Sequence, residues 1–375
     1  MKIICNQQKI TDAVSNVQRI VSTKTTIPAL EGIIIKTLEN SISIGAYNLE
    51  IAITTTINAQ VIEKGEIVLN AKLFSDIIRR LPEENIKIST DKKYITSIES
   101  GNANYNIVGV DANKFPEVPN FQTLEKIEIQ NSILKDMIKQ TLFAISDDIT
   151  KPVITGSLFK IENKEFRIIS VDGFRMALRK EKIDYDIDSE FIVPKKALEE
   201  ILRINAKDDS ITEIMVGERH AIFKIEDYVI HTRLLEGNFL DYKTTFPNEF
   251  ETEFPIGSQE ITNSVERMSL LTTERIKSPI RLKIETDHIY LSCATTIGKA
   301  HDILKTIVSG KTFEIGFNNR YILDALKNVE SDLIKIKLNS PLKPMIIEPI
   351  EGDSFKYLVV PMRLNNENKK EAKEE

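Results

Sequence analysis

The amino-acid sequence predicts an α+β chain built from three tandem copies of one sheet-rich domain, each with two helices on one side. Three observations carry that prediction. The ten-residue stretch 69–78 recurs at 193–202 and again at 317–326, two steps of 124 residues. Its apolar positions stay in register: Leu73, Ala197 and Tyr321; Phe74, Leu198 and Ile322; Ile77, Ile201 and Ala325; Ile78, Leu202 and Leu326. A helix-like phrase precedes each copy of that stretch, with Ile10, Val14 and Val21 matching Leu134, Ile138 and Ile145, and then Ile261, Val265 and Thr272. Pro28, Pro152 and Pro279 punctuate the copies. A solenoid repeats every ~20 to 50 residues, so this longer period is that of a whole small domain.

Within the first copy, Ile10, Val14, Val17 and Val21 fall at helical spacing and predict a helix over 8–21. A threonine-rich break and Pro28 end it, because proline removes a backbone donor and disfavours helix at the residue before it. Residues 49–61 alternate and predict a half-buried strand. Leu49, Ile51, Ile53, Ile57, Ala59 and Val61 would face a core, with Glu50, Thr54, Thr56, Asn58 and Gln60 facing water. A second helix over 72–81 stops at Pro82, and strands are expected over 86–88, 94–98 and 105–110. The later copies keep this order. Linkers are expected at 115–123, where Pro-Glu-Val-Pro interrupts the pattern, and at 244–255, which carries two prolines. The implied domains are 1–122, 123–250 and 251–364, followed by a polar, solvated tail over 365–375.

Composition fits an ordinary globular chain: 41% hydrophobic and 28% charged over 375 residues. No apolar run approaches 18 residues and the opening Met-Lys-Ile-Ile-Cys-Asn-Gln lacks the apolar core of a signal peptide, so a cytoplasmic location is expected. Cys5 and Cys293 are too few and too far apart for a disulfide framework, and both read as buried strand residues. The four histidines, His220, His231, His288 and His301, show no metal-ligand spacing, and no metal or other cofactor is expected. Ser309-Gly310-Lys311-Thr312 resembles the end of a phosphate loop, but Lys305 stands where the loop needs its first glycine. There is no Gly-Xaa-Ser-Xaa-Gly elbow and no carboxylate pair that stands out, so the chain reads as a non-enzyme.

Charge is unevenly shared. The formal net charge is −6, yet the six repeated helical segments sum to +8, which leaves −14 for the remainder. Helices placed equivalently by a repeat bring their cations to one common surface, which would attract phosphate backbones without reading base sequence.

Residues 26–30 (Thr-Ile-Pro-Ala-Leu), 171–177 (Val-Asp-Gly-Phe-Arg-Met-Ala) and 359–364 (Val-Val-Pro-Met-Arg-Leu), taken with the repeat, resemble the bacterial DNA polymerase III beta subunit family, the sliding clamps. The resemblance implies a homodimeric ring in which two three-domain chains associate head to tail, with twelve helices lining the hole. Helices about 9 Å apart give a hole of roughly 25 to 35 Å. A duplex is on the order of 20 Å across. It would fit loosely, held by topology. The implied partners are double-stranded DNA, the polymerase III catalytic subunit, the clamp loader and other replication and repair proteins, with no membrane partner. The alternative is a monomeric adaptor that binds peptides without encircling DNA.

Carried onto this chain, the resemblance assigns DNA-facing roles to Lys24, Lys72, Arg79, Lys151, Lys196 and Arg203, and the helix charge pattern adds Arg80. It assigns a hydrophobic pocket for short linear peptides to Ile154, Val171, Gly173, Phe174, Arg175, Met176, Leu240, Thr245, Met345, Val360, Pro361, Met362 and Arg363. Phe174 replaces a histidine common in the family, and Leu240 a proline. Subunit contact is assigned to Tyr105, within 104–108, and to Leu271, with strand edges pairing across the interface.

Overall fold

The computed structural model describes residues 1–22, 24–120, 122–184, 187–247, 249–273 and 278–364. The polar tail expected over 365–375 lies outside the described residues. Seven α-helices occur among them: α1 (Gln7–Val17), α2 (Ala71–Ile78), α3 (Asn131–Leu142), α4 (Lys195–Arg203), α5 (Tyr242–Thr245), α6 (Ser258–Ser269) and α7 (Asn319–Lys327). None is long and apolar enough to cross a membrane. The repeated stretch is in each copy the end of a strand followed by a helix: Glu66–Asn70 into α2, Ser189–Pro194 into α4, Phe313–Phe317 into α7. An asparagine ahead of the helix recurs too. The side chains of Asn6, Asn70 and Asn318 accept from the backbone N–H of Lys9, Leu73 and Arg320, satisfying donors that the first helical turn leaves free.

The chain divides into two compact units, one of Met1–Lys135 with Lys196–Leu234, the other of Asp136–Lys195 with the chain from Leu235 onward. The division cuts through the middle repeat because compactness follows the sheets. In the first unit a twelve-stranded antiparallel sheet runs from an edge at Ala103–Val108 to Glu125–Gln130, and it crosses from the first repeat to the second where Ile51–Glu63 pairs with Tyr228–Arg233. In the second unit a nine-stranded sheet crosses from the second repeat to the third where Arg175–Lys182 pairs with Phe355–Val359, and a four-stranded sheet ends at the edge strand Gly298–Lys305. Cys5 and Cys293 are buried in strands, and burial pushes the Cys5 thiol up to about 12.

Several expectations are corrected. Leu49 is not a core-facing strand residue. It is half-exposed in a turn with φ 74° before the strand starts at Ile51. The first residues of that strand are buried on both faces, because Leu30, Tyr47, Phe115 and Val118 pack over Ala52. Phe115 and Val118 belong to the expected linker, which is therefore packed down. Leu73 breaks the core register and is 48% exposed, whereas Phe74 beside it is fully buried. Helix α2 ends at Ile78, short of the expected residue 81. The second expected linker holds α5 and the start of the strand Thr252–Gly257. Pro255 fits in that strand because its outer neighbour, Ser309–Gly310, pairs only with Thr252 and Glu253. Gly310 itself has φ 118°, and a Cβ there would lie 1.9 Å from the Glu251 carbonyl oxygen. Close backbone approach, not phosphate binding, explains that glycine.

Candidate apolar peptide site and basic helix ends

In the second unit the segment 171–177 forms a tight hairpin turn. Asp172 Oδ1 accepts from the N–H of Phe174 (2.9 Å) and of Arg175 (3.0 Å), and Gly173 sits at φ 91°, where other residues would be strained. The turn fixes two side chains, one outward and one inward. Phe174 is 54% exposed and stacks on Tyr321 of α7 with ring centroids 5.2 Å apart. Arg175 turns inward, paired with Asp172 (2.9 Å) and Asp324 and lying 4.9 Å from the Tyr321 ring centroid and 5.5 Å from that of Phe143. A guanidinium so enclosed holds the hairpin to α7.

On the strands that leave the turn, Val171 and Met176 are buried in an apolar cluster with Leu158, Ile192, Tyr242 and Leu358. Ile154, Leu240 and Val360 are partly buried against it, together with Val153, Leu178, Phe239, Phe246 and Phe250. Five of the sequence-predicted pocket residues thus meet: Ile154, Val171, Met176, Leu240 and Val360. The others are distributed differently. Met345 is fully buried in the separate core of the third repeat, beside Tyr357 and Val359. Thr245 is exposed at the end of α5, its hydroxyl bonded to the Asp241 carbonyl. The chain from Val360 runs on as an anchored strap. The Val360 N–H donates to the Phe174 carbonyl and the Met362 N–H to the Gly316 carbonyl, each at 2.8 Å. Pro361 is half-buried, Met362 and Arg363 are exposed, and Leu364 lies against Gly316. Sequence reasoning missed Tyr321, Tyr242, Phe239, Phe246 and Phe250. The last four aromatics fall three or four residues apart within 239–250, a periodicity that marks a packed segment rather than a linker.

Of the cations, Arg79, Arg80 and Arg203 lie at the C-terminal ends of α2 and α4, the end that a positive charge stabilises, whereas Lys72 and Lys196 stand in the first turns of the same helices and Lys24 and Lys151 lie outside the α-helices. In the first unit Lys24, Lys72, Arg79, Arg80, Lys196 and Arg203 are all exposed; Lys151 is exposed in the second. Lys72, Lys151 and Lys196 form no ion pair among the described residues. Arg80 is paired with Asp76 at 3.3 Å. Arg203 is paired at 2.8 Å with Glu200, whose 3%-exposed side chain also takes Arg19 at 2.7 Å. Glu200 thereby ties the turn after α1 to the end of α4. The predicted contact residues lie at sheet edges: Tyr105 is half-exposed on the edge strand Ala103–Val108. Leu271 packs on the third-repeat core near Gly298, with Leu270 beside it 80% exposed.

A chain of three strand–helix repeats joined edge to edge by continuous sheets, with helix-end cations and an apolar peptide-sized cluster, has the architecture of a DNA clamp subunit. Family models described as the DNA polymerase III beta subunit N-terminal, central and C-terminal domains match residues 1–119, 128–241 and 243–363. The beta sliding clamp of Bacillus subtilis is 31% identical over 376 residues, covering 97% of this chain and 100% of that protein. The crystal structure of a putative DNA polymerase III beta subunit from Eubacterium rectale superposes with a TM-score of 0.93 at 32% identity, over 98% of this chain and 100% of that one. A sliding clamp of Bartonella birtlesii solved bound to griselimycin superposes with a TM-score of 0.91 at 25% identity, over 97% and 100%. The chain belongs to the DNA polymerase III beta subunit family, the beta sliding clamps.

Proposed function

We propose that this chain is a non-catalytic processivity factor: a homodimeric ring that encircles duplex DNA without sequence specificity and tethers the replicative polymerase, its clamp loader and repair proteins through short linear peptides. The observation that carries the reading is the end-to-end likeness to a named sliding clamp, with 100% of the Bacillus subtilis protein covered, so that no part of the relative lacks a counterpart here. The working domains are 1–122, 123–250 and 251–364, and the ring acts in the cytoplasm on the nucleoid. Ring closure pairs the open edge strand Ala103–Val108, with Tyr105, against the open edge Gly298–Lys305 and Leu271 of a second copy, since an unpaired edge is a template for another strand. DNA is held by Lys24, Lys72, Arg79, Arg80, Lys151, Lys196 and Arg203 as a diffuse positive lining, which costs little to slide along.

Peptides enter over the floor of Val171 and Met176 between Ile154, Leu240 and Val360, with Phe174, Thr245, Met362 and Arg363 at the rim. Gly173, Arg175 and Pro361 shape the turn and the strap, and Met345 supports them from the neighbouring core. The griselimycin-bound relative supports a ligand-accepting site on this fold.

The test is the native mass together with DNA retention. A mass of about 85 kDa, twice the 42.7 kDa chain, is expected at low micromolar concentration. Lys72, Arg79 and Lys196 changed together to glutamate should leave that mass unchanged and release the protein from circular DNA at lower salt, each lost phosphate contact lowering the salt slope by ~1. A stable monomer would favour the peptide adaptor, and unaltered retention would take the helix ends out of the DNA contact.

A further inference from the structure

Next to the apolar cluster lies a groove of about 270 Å³ that no part of the proposed pocket assignment includes. Leu178, Tyr242 and Phe246 belong to both, so the groove adjoins the cluster through these side chains. Its remaining lining is four cations, Arg167, Lys180, Lys243 and Lys356, against one carboxylate, Asp353. Asp353 is paired with Lys180 within the lining, and the other acids that balance these cations stand outside it. Glu162 accepts from Arg167 and Lys243, each at 3.0 Å, Glu165 pairs with Arg167 and Lys180, and Glu348 lies 3.9 Å from Lys356. Among the described residues Arg167, Lys243 and Lys356 are thus paired with acids outside the lining, and Lys180 with one inside it as well.

A second, independent observation concerns Tyr242. The residue is 7% exposed and its hydroxyl is buried with no hydrogen-bond partner among the described residues. Buried polar groups are nearly always satisfied, and an unmatched hydroxyl on a side chain that lines a groove calls for an acceptor. Lys243, beside it, is 57% exposed on a flexible stem and can swing without unpacking anything.

We propose that this groove seats an acidic side chain of the bound peptide, an aspartate or glutamate adjoining the apolar residues that fill the cluster. The carboxylate takes the Tyr242 O–H and the Lys243 ammonium, with Arg167 and Lys180 supplying further positive charge and Phe246 and Leu178 packing its methylene. A carboxylate fits because it only accepts hydrogen bonds, and everything the wall offers apart from Asp353 donates or is apolar. The groove thus selects among linear peptides by charge, after the cluster has selected them by hydrophobicity. The inference rests on the peptide-binding reading of the cluster.

The experiment measures fluorescence anisotropy of labelled Asp-Asp-Leu-Leu-Phe and Asn-Asn-Leu-Leu-Phe, and of both with the polar pair placed last, against the full chain at low salt. The acidic peptide should bind about tenfold tighter in at least one order. That preference should fall below about threefold in Lys243→Gln and in Tyr242→Phe, with the affinity of the amide peptide unchanged in Lys243→Gln. Equal affinities, or a preference that survives both substitutions, overturn the proposal. A third variant, Leu240→Asp, separates the two readings. If it abolishes binding of the amide peptide while the acidic one gains nothing in the parent chain, the cluster stands and the groove falls. If no peptide binds the parent chain, both fall.

Discussion

The helix ends of the first unit and the apolar cluster of the second do their work by opposite means. The cations sit exposed on flexible stems, several of them unpaired among the described residues, and any one adds only a small share to a diffuse field. The cluster is assembled from three distant stretches of chain, the hairpin around Gly173, the segment 239–250 and the strap from Val360, each anchored by hydrogen bonds or packing. The field degrades gradually as charges are removed. The cluster fails at single positions, because packing and desolvation are local. On the proposed function, sliding would need the first behaviour and selective tethering the second.

The sharpest way to break that comparison is Leu240→Asp. A charge placed among Val171, Met176 and Val360 must be desolvated whenever a peptide covers it. Affinity for an apolar peptide should fall by at least about 100-fold, near 2.7 kcal/mol, with native mass and DNA retention intact. A loss smaller than about threefold in calorimetric titration would mean that Leu240 does not line the site.

Glu200 is the exception inside the charged region, because it is buried there as the cluster residues are. Its carboxylate holds Arg19, 25% exposed, and Arg203, 53% exposed, at 2.7 and 2.8 Å. Breaking a fully buried pair costs ~3–5 kcal/mol. Both arginines here reach solvent, which screens the loss. Glu200→Gln should therefore lower unfolding stability by about 2 kcal/mol, read from the urea midpoint. A shift under about 0.5 kcal/mol would return Glu200 to the class of replaceable surface charges.

The two regions were also unequally legible in the sequence. The repeat announced the strand-to-helix step three times over, since Phe74, Leu198 and Ile322 are each fully buried at the same place. Helix periodicity is a local property, and it survives in a one-dimensional reading. The apolar cluster is non-local. Nothing in the string 239–250 says which sheet its aromatics will cover, and two prolines in 244–255 made the region look like a connector. Charge counting likewise located the cations but not their partners. Arg80 with Asp76 was readable at four residues' separation, whereas Arg19 with Glu200 depends on a contact across 181 residues. Leu73 shows the converse error. The repeat aligned it with the apolar Ala197 and Tyr321, yet Ala197 is buried and Leu73 is exposed.

The smallest expected effect lies within the cluster, and its sign matters more than its size. Tyr242 is the cluster's one hydroxyl among buried members, and it has no hydrogen-bond partner among the described residues. An unmatched buried donor costs free energy that its removal recovers, and Phe keeps the ring and its packing. Tyr242→Phe should thus leave the ligand-free chain as stable as before or more stable by up to about 1 kcal/mol, measured as an unchanged or raised urea midpoint at constant slope. Truncation of any apolar neighbour should do the opposite: Leu158→Ala, for one, costs ~2–5 kcal/mol. A Tyr242→Phe chain destabilised by more than about 1 kcal/mol would mean that the hydroxyl is satisfied in the free protein, by water or by a moved side chain. The open donor beside the cations would then no longer distinguish this wall from any other well-packed edge of the sheet.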